Sequence, residues 1–486
     1  MRSTYPGAMM FIGRKTELAL LAKRLERVAA TGAGTAVALR GRRQVGKSRL
    51  VQEFCDQSAV PYVFSTATKG ASPIEAVSAF LRDLKESALP DDPELVPRLD
   101  NGSWPDAFRV LASALPSRPS IVVLDEMPWI AEQDPLFDGT LQTGWDRLLA
   151  SKPVLLLLLG SDVHMMERLT AYDRPFYGRA DNLVLGPLNP ADMGEALGLD
   201  AADAIDAHLV SGGLPGIIRT WPHGTPALEF MESECADPAA ALFNVPESSL
   251  LAEFPNPDIS RRVLEAIGAG DRTHANIAAT AGNRDAALPS GTLSPLLRRL
   301  TTEKNVLAVE EPLSTKPGKP ALYRISDSNL RLYLRALRSA HEQARRGRPE
   351  AGFRIIQRRW PSWRGRAVEP LIRQALELSD LPWPDVETVG GWWNRQFNPE
   401  IDLVGADRAP IANRIYFAGS IKWHNTPFDA HDLADLRRAA AQVPGLDPAT
   451  TGLAVVSLSG ILSGIEATDP IALAWTPRDV LAAWRP

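Results

Sequence analysis

Gly41-Arg42-Arg43-Gln44-Val45-Gly46-Lys47-Ser48-Arg49 is the stretch on which the reading of this chain turns. A short apolar strand, Thr35–Leu39, runs into it, and a helical pattern, Arg49–Cys55, leaves it. Phosphate groups need that order of strand, glycine-bearing loop and helix. Glycine lets the backbone wrap closely, so that N–H groups turn inward. The following helix adds partial positive charge at its N-terminus. With this spacing Gly41–Arg49 cradle the phosphates, Lys47 reaches the β- and γ-phosphates, and Ser48 ligates Mg2+. ATP with Mg2+ is the expected occupant.

Ile121-Val-Val-Leu-Asp125-Glu126 supplies the second half of such a site. Four apolar residues put Asp125 at the carboxyl end of a buried strand, where ligand sites of α/β sheets form. Asp125 is the expected second Mg2+ residue. Glu126 is the candidate general base that polarises the attacking water.

Working outward, Val60–Phe64 and Pro153–Gly160 are further strand-like runs, separated by helical patterns at about 74–86, 104–115 and 139–150. Strands alternating with helices predict a mostly parallel sheet covered on both faces. Past about residue 190 helices take over. Residues 256–345 then read as three short helices followed by a hairpin, Asn305–Glu311 and Ala321–Ser326, around the turn Thr315-Lys-Pro-Gly-Lys319. That pattern predicts a winged helix-turn-helix. The arginine-rich stretch Arg345–Arg348 reads as a linker, and residues 352–486 return to mixed α/β.

Composition narrows the classes. The 486 residues carry a formal charge of -5, yet Arg261–Arg366 hold roughly 21 Arg/Lys against about 9 Asp/Glu, so the middle is basic and the remainder acidic. A nucleic-acid partner for that segment stays open. Cys55 and Cys235 lie far apart, which is neither a disulfide framework nor a zinc spacing and fits a reducing compartment. The longest apolar run, Val154–Leu159, is too short to span a bilayer. Residues 1–8 read as a loose tail, with Met9 or Met10 as a second start, and no secretory signal is evident. A cytoplasmic protein with no membrane partner is expected.

Several landmarks together resemble the archaeal-type ATPases of the STAND/AAA+-like class that end in a DUF234 domain. They are Phe11-Ile-Gly-Arg14, the loop at 41–48, Leu124-Asp-Glu-Met-Pro-Trp129, Leu159-Gly-Ser161, Pro175-Phe-Tyr-Gly-Arg179 and Gly212-Gly-Leu-Pro215. The resemblance covers nearly the whole chain and implies three further roles. Ser161 takes the polar "sensor" position beside the Asp125 strand, or simply ends its own strand. Arg179 stabilises the γ-phosphate, or only pairs with a surface acid. Gly212–Pro215 opens a helical lid.

In the basic segment, Leu293, Leu296, Leu297 and Leu300 form the buried stripe of a recognition-type helix. Thr292, Ser294, Arg298 and Arg299 face outward, with Lys316 and Lys319 on the wing. This surface fits DNA phosphates and a groove, or it is a docking module with solvated charges. The tail resembles DUF234, which is similar to the restriction-endonuclease fold. Glu369 early in a helix, Asp402 of Glu400-Ile-Asp402, and Lys422 of Ser420-Ile-Lys422 fall at that fold's metal and catalytic positions. Ser420 stands where an acid would complete the metal set. The resemblance therefore implies a degenerate site, with Glu400 on the same strand face as Asp402 as a partial substitute. Trp392 and Trp393 read as core.

The expected architecture is α/β: a P-loop NTPase core at 1–189, a helical lid at 190–255, a winged helix-turn-helix at 256–345 and a restriction-endonuclease-like domain at 346–486. The expected function is an ATP-hydrolysing switch, alone or with a protein partner or a second copy. The rivals are an ATP-responsive DNA-binding regulator and an ATP-licensed nuclease.

Overall fold

Leu155–Leu159 contribute five consecutive fully buried side chains to one strand, which only a sheet covered on both faces can accommodate. The computed structural model describes residues 11–97, 102–253, 259–283, 286–318, 320–447, 450–463, 465 and 471–485. The tail at 1–8, Met9, Met10 and Lys319 lie outside the described residues. The chain divides into two units, Met1–Pro187 and Leu188–Pro486.

The first unit begins with α1 (Lys15–Thr31), β1 (Thr35–Arg40), α2 (Lys47–Ser58), β2 (Tyr62–Thr66), α3 (Pro73–Glu86) and α4 (Trp104–Ala114). It continues with β3 (Ser120–Asp125), α5 (Met127–Gln133), α6 (Phe137–Gly144), β4 (Val154–Gly160), α7 (Val163–Leu169) and β5 (Ala180–Val184). A π-helical turn, Trp145–Leu149, prolongs α6. The five strands lie in the order β2-β3-β4-β1-β5, every pairing parallel. Alternate residues divide the two faces. Ala36, Ala38, Val122, Leu124, Leu156 and Leu158 share a core with α3, α4 and α6 through Phe80, Leu84, Trp104, Phe108, Phe137 and Leu141. Residues of α1 and α2, such as Leu21, Val28, Leu50 and Phe54, are buried as well.

Register aligns the strand ends. Arg40 pairs with Gly160, and Leu124 with Leu158. The loops leaving β1, β3 and β4 therefore emerge at one edge of the sheet. Sequence reading did not identify β5, because Ala180–Val184 is half-exposed and carries two polar residues.

The second unit opens with α8 (Pro190–Leu197), α9 (Ala201–Ser211), α10 (Pro215–Ile218), α11 (Ala227–Cys235) and α12 (Ala241–Glu253). Gly212–Pro215 forms the turn between α9 and α10, with Gly212 in the left-handed region at φ 62°. Next come α13 (Ile259–Ala269), α14 (His274–Ala281), α15 (Ser290–Thr302) and the antiparallel hairpin β6 (Leu307–Glu310) and β7 (Leu322–Ile325). On α15, Leu293, Leu297 and Leu300 are buried while Thr292, Ser294, Arg298 and Arg299 are exposed.

The hairpin tip is not free. Leu313 N donates to Gly391 O at 2.8 Å, Thr315 N to Pro444 O at 3.1 Å, and Ala412 N to Ser314 O at 2.9 Å. Lys316, itself exposed, thus follows a segment docked against the C-terminal sheet.

The expected linker at Arg345–Arg348 is a tight turn. It joins α16 (Ser328–Leu332) and α17 (Arg338–Arg345), linked by a π-helical stretch, to the 29-residue α18 (Pro349–Glu377). The mixed sheet that follows has strand order β12-β11-β10-β9-β8. Its strands are β8 (Thr388–Trp393), β9 (Glu400–Ala406), β10 (Ile415–Lys422), β11 (Gly452–Ser457) and β12 (Leu473–Trp475). Two helices complete it, α19 (Ala430–Ala440) and α20 (Pro477–Ala482). Trp392 and Trp393 are buried. Among the described residues no helix is long and apolar enough to cross a membrane.

Candidate functional site

The loop between β1 and α2 is shaped by its glycines. A Cβ on Gly41 would stand 2.4 Å from Leu185 O, and Gly46 has φ 93°, so neither position takes a larger residue without movement. Val45 is buried, while Arg43, Gln44, Ser48 and Arg49 are exposed and Arg42 is half-buried. Arg49 pairs with Glu53.

Lys47 opens α2 and is only 6% exposed. Its Nζ donates to Gly41 O at 2.7 Å and to Arg42 O at 3.0 Å, which curls the side chain back over the loop. Burial lowers its pKa against the opposing pull of Glu126 and Asp125, with Arg43 adding to the lowering. A buried ammonium at a helix N-terminus, satisfied only by carbonyl oxygens, is suited to exchange them for phosphate oxygens.

Asp125 ends β3 and is 4% exposed. Burial raises its pKa, while a hydrogen bond from Ser48 lowers it and nearby Glu126 raises it. Its Oδ1 accepts from Glu126 N at 2.9 Å. A buried carboxylate bonded to a serine hydroxyl provides the hard oxygen donors that Mg2+ takes, so these residues fit that ion. Glu126 adopts the left-handed region, φ 53° and ψ 39°, which turns its side chain away from the line of β3. Its Oε2 accepts from Ser161 Oγ at 2.8 Å and from Ser161 N at 3.3 Å. The fold thus brings Lys47, Ser48, Asp125, Glu126 and Ser161 to the carboxyl edge of one sheet.

Arg179 is not among them. Its Nε and Nη2 each donate at 2.8 Å to Asp146, and its Nη1 donates to Pro175 O and Tyr177 O. The pairing holds the Asp146 carboxyl below its ordinary range. Arg179 immediately precedes β5, whose Ala180 pairs with Ala36, whereas the phosphate loop leaves β1 after Arg40. Four residues of strand separate the two levels, about 13 Å along the sheet. Within one chain Arg179 lies at the opposite edge, paired with an acid, which is the alternative the sequence left open beside the γ-phosphate role.

In the sequence Arg14 stands out only as a landmark. Its Nη2 donates to Val45 O at 3.1 Å and to Gly186 O at 2.6 Å, and its Nη1 to Glu17 at 2.9 Å. Arg14 therefore ties the phosphate loop to the chain leaving β5. Two successive left-handed residues, Gly13 and Arg14, precede α1, but nothing in the sequence names their partner.

The C-terminal residues form a second group. Asp402 on β9 accepts at Oδ2 from Ser420 Oγ at 3.1 Å and from Ile421 N at 2.8 Å. Desolvation raises the Asp402 pKa and pushes that of Glu369 up to about 7. Glu400, Asp402, Ser420, Asp432 and Asp435 line a cleft of about 640 Å3. Lys422 pairs with Asp432 rather than with Asp402. Glu369 lies near the end of α18, not early in a helix. Arg373, which sequence reading passed over, reaches Glu369 and the main chain of Asp402.

Residues 10–149 match the AAA ATPase domain family, and residues 333–435 match DUF234, described as archaea bacterial proteins of unknown function. An uncharacterized protein of Methanocaldococcus jannaschii is 23% identical over 410 residues, which is 81% of this chain and 84% of that protein. The Walker-type ATPase of Pyrococcus abyssi is similar in structure with a TM-score of 0.47 and 19% identity, covering 67% of this chain and 96% of that one. The Aeropyrum pernix ORC2 protein, solved as ADPNP–ADP complexes, gives 0.44 and 12%, covering 72% and 96%. The first match contains Lys47, Ser48, Asp125 and Glu126, and the second contains Glu369, Asp402, Ser420 and Lys422: the chain joins an AAA ATPase domain to a C-terminal DUF234 domain.

Proposed function

We propose that the chain is an ATP-hydrolysing switch whose chemistry lies in the first unit. The observation that carries this reading is the gathering of Lys47, Ser48, Asp125, Glu126 and Ser161 at one sheet edge, from three strand ends that register aligns. Lys47 exchanges its loop carbonyls for the β- and γ-phosphate oxygens. Ser48 and Asp125 hold Mg2+, which when bound neutralises phosphate charge. Glu126 polarises a water for attack on the γ-phosphorus, and Ser161 fixes the carboxylate that does so.

Isothermal titration and steady-state turnover test the proposal. Lys47→Ala should weaken ATP binding by about 10-fold or more. Glu126→Gln should bind ATP yet lose roughly 10²-fold in kcat. Equal ATP affinity in wild type and Lys47→Ala would refute the phosphate assignment.

A second reading concerns residues 256–345, read as a winged helix-turn-helix between a lid at 190–255 and a nuclease-like domain at 346–486. Arg298 and Arg299 stand exposed on α15 opposite its buried leucines, and neither pairs with an acid among the described residues. That surface fits a DNA backbone. Binding with a steep salt dependence supports it, and binding that salt leaves unchanged refutes it.

A further inference from the structure

The endonuclease-like reading asks Glu369 and Asp402 to share a divalent cation. Arg373 stands in the way. One helical turn after Glu369, its Nη2 donates to Glu369 Oε2 at 3.4 Å and its Nε to the Asp402 main-chain O at 3.0 Å. Its Nη1 lies 3.7 Å from Glu310 Oε2 on β6, and the side chain is 11% exposed. The neighbouring strand makes room for it: a Cβ on Gly391 would stand 2.7 Å from Arg373 Nη2.

Arginines already surround these carboxylates. Glu310 also pairs with Arg272 at 3.2 Å and Arg324 at 2.5 Å. The carboxylates of Glu310, Glu369 and Asp402 therefore lie among the guanidiniums of Arg272, Arg324 and Arg373, with half-buried Arg331 close enough to act on Glu369 and Glu310. Mg2+ takes hard oxygen donors in a near-octahedral shell and gives up its waters reluctantly. Here Asp402 Oδ2 already accepts two hydrogen bonds, and Lys422 is turned to Asp432. Among the described residues no three His, Cys, Asp or Glu side chains are grouped to hold a metal ion.

We infer that Arg373 is the resident cation of this site, a guanidinium that takes the place of a divalent metal and clasps the β6 hairpin, α18 and β9 together. The acid missing at position 420 is then only half of the reason that these residues do not fit a metal. Restoring that acid alone does not create a metal site. Arg373 must go as well. The inference does not rest on the nucleotide reading of the first unit.

The test is Mn2+ titration of the nucleotide-free full-length protein, with free Mn2+ followed by electron paramagnetic resonance and Asp402→Asn as background. Wild type, Arg373→Lys and Ser420→Glu should retain no Mn2+ above that background. Arg373→Met combined with Ser420→Glu should retain one equivalent, at least 10-fold more tightly than Ser420→Glu alone. Circular dichroism checks that the double variant folds. Mn2+ held by wild type and lost in Asp402→Asn overturns the inference. So does full gain in Ser420→Glu alone, or a folded double variant that gains nothing. If the double variant does not fold, the Ser420→Glu protein decides alone: no gain supports the resident cation, and a gain refutes it.

Discussion

Ser161 donates twice to one oxygen of Glu126, from its hydroxyl at 2.8 Å and from its main-chain N at 3.3 Å. Two strand ends are thereby joined through the side chain proposed to polarise water. A hydrogen bond to a charged group contributes about 1.5–3 kcal/mol. Ser161→Ala should therefore lower kcat by about 10-fold while ATP affinity changes little. Ser161→Thr, which keeps the hydroxyl, should recover most of the rate. A kcat unchanged in the alanine variant would mean that the main-chain N alone positions Glu126.

Arg14 offers a test of loop anchoring away from the phosphates. Arg14→Met keeps an extended side chain but leaves Val45 O and Gly186 O without their donor. A buried acceptor left unsatisfied costs about 1–3 kcal/mol. The expected result is a lower melting temperature and an ATP affinity reduced by about 10-fold, both read on the same protein by scanning calorimetry and titration. A variant with unaltered affinity would make Arg14 a stability residue only.

His208 on α9 sets an acid limit for the second unit. Its Nδ1 is shut off from solvent with no partner among the described residues. Desolvation lowers its pKa to about 4 from 6.5, against a main-chain hydrogen bond at Leu188 that raises it. Above pH 6.5 neither state binds this proton. Between 6.5 and 4 the unfolded chain takes it up and the folded chain does not, so stability declines as pH falls, by on the order of 3 kcal/mol. His208→Gln should flatten melting temperature against pH across that window. A curve parallel to wild type would exclude His208 as the cause.

The docked hairpin separates two sources of basic charge. If α15 grips duplex DNA, Arg298→Ala and Arg299→Ala should each reduce the slope of log affinity against log salt by about 1. Lys316→Ala should leave it unchanged, because Leu313–Thr315 are bonded to the C-terminal sheet. An equal loss at Lys316 would show that the tip detaches to meet DNA.

The phosphate loop and Asp125 were legible because their chemistry is local. Four apolar residues before an acid describe a buried strand end wherever the chain goes next. Ser161 was reached only through the resemblance, as the polar residue just past the all-apolar β4. β5 was not, since polar Asp181 and Asn182 interrupt its five residues and it borrows its order from β1. Arg179 left two readings open because its neighbours in sequence say nothing about which edge of the sheet they reach. Arg373 was visible as an arginine four residues after Glu369, yet its meaning depends on Glu310 and Gly391, which arrive from two other strands.

The hairpin tip carries a further consequence, for recombination. A boundary at 345/346 looks from sequence like a seam for excising, grafting or exchanging the basic module. The tip runs across that seam. Cutting there would strip Gly391 O and Pro444 O of their donors and Ala412 N of its acceptor. It would also uncover Leu313, which is 1% exposed and packs with Trp392 and Val404. A transplantable piece of the second unit must therefore keep the three-helix module together with the sheet that grips its hairpin.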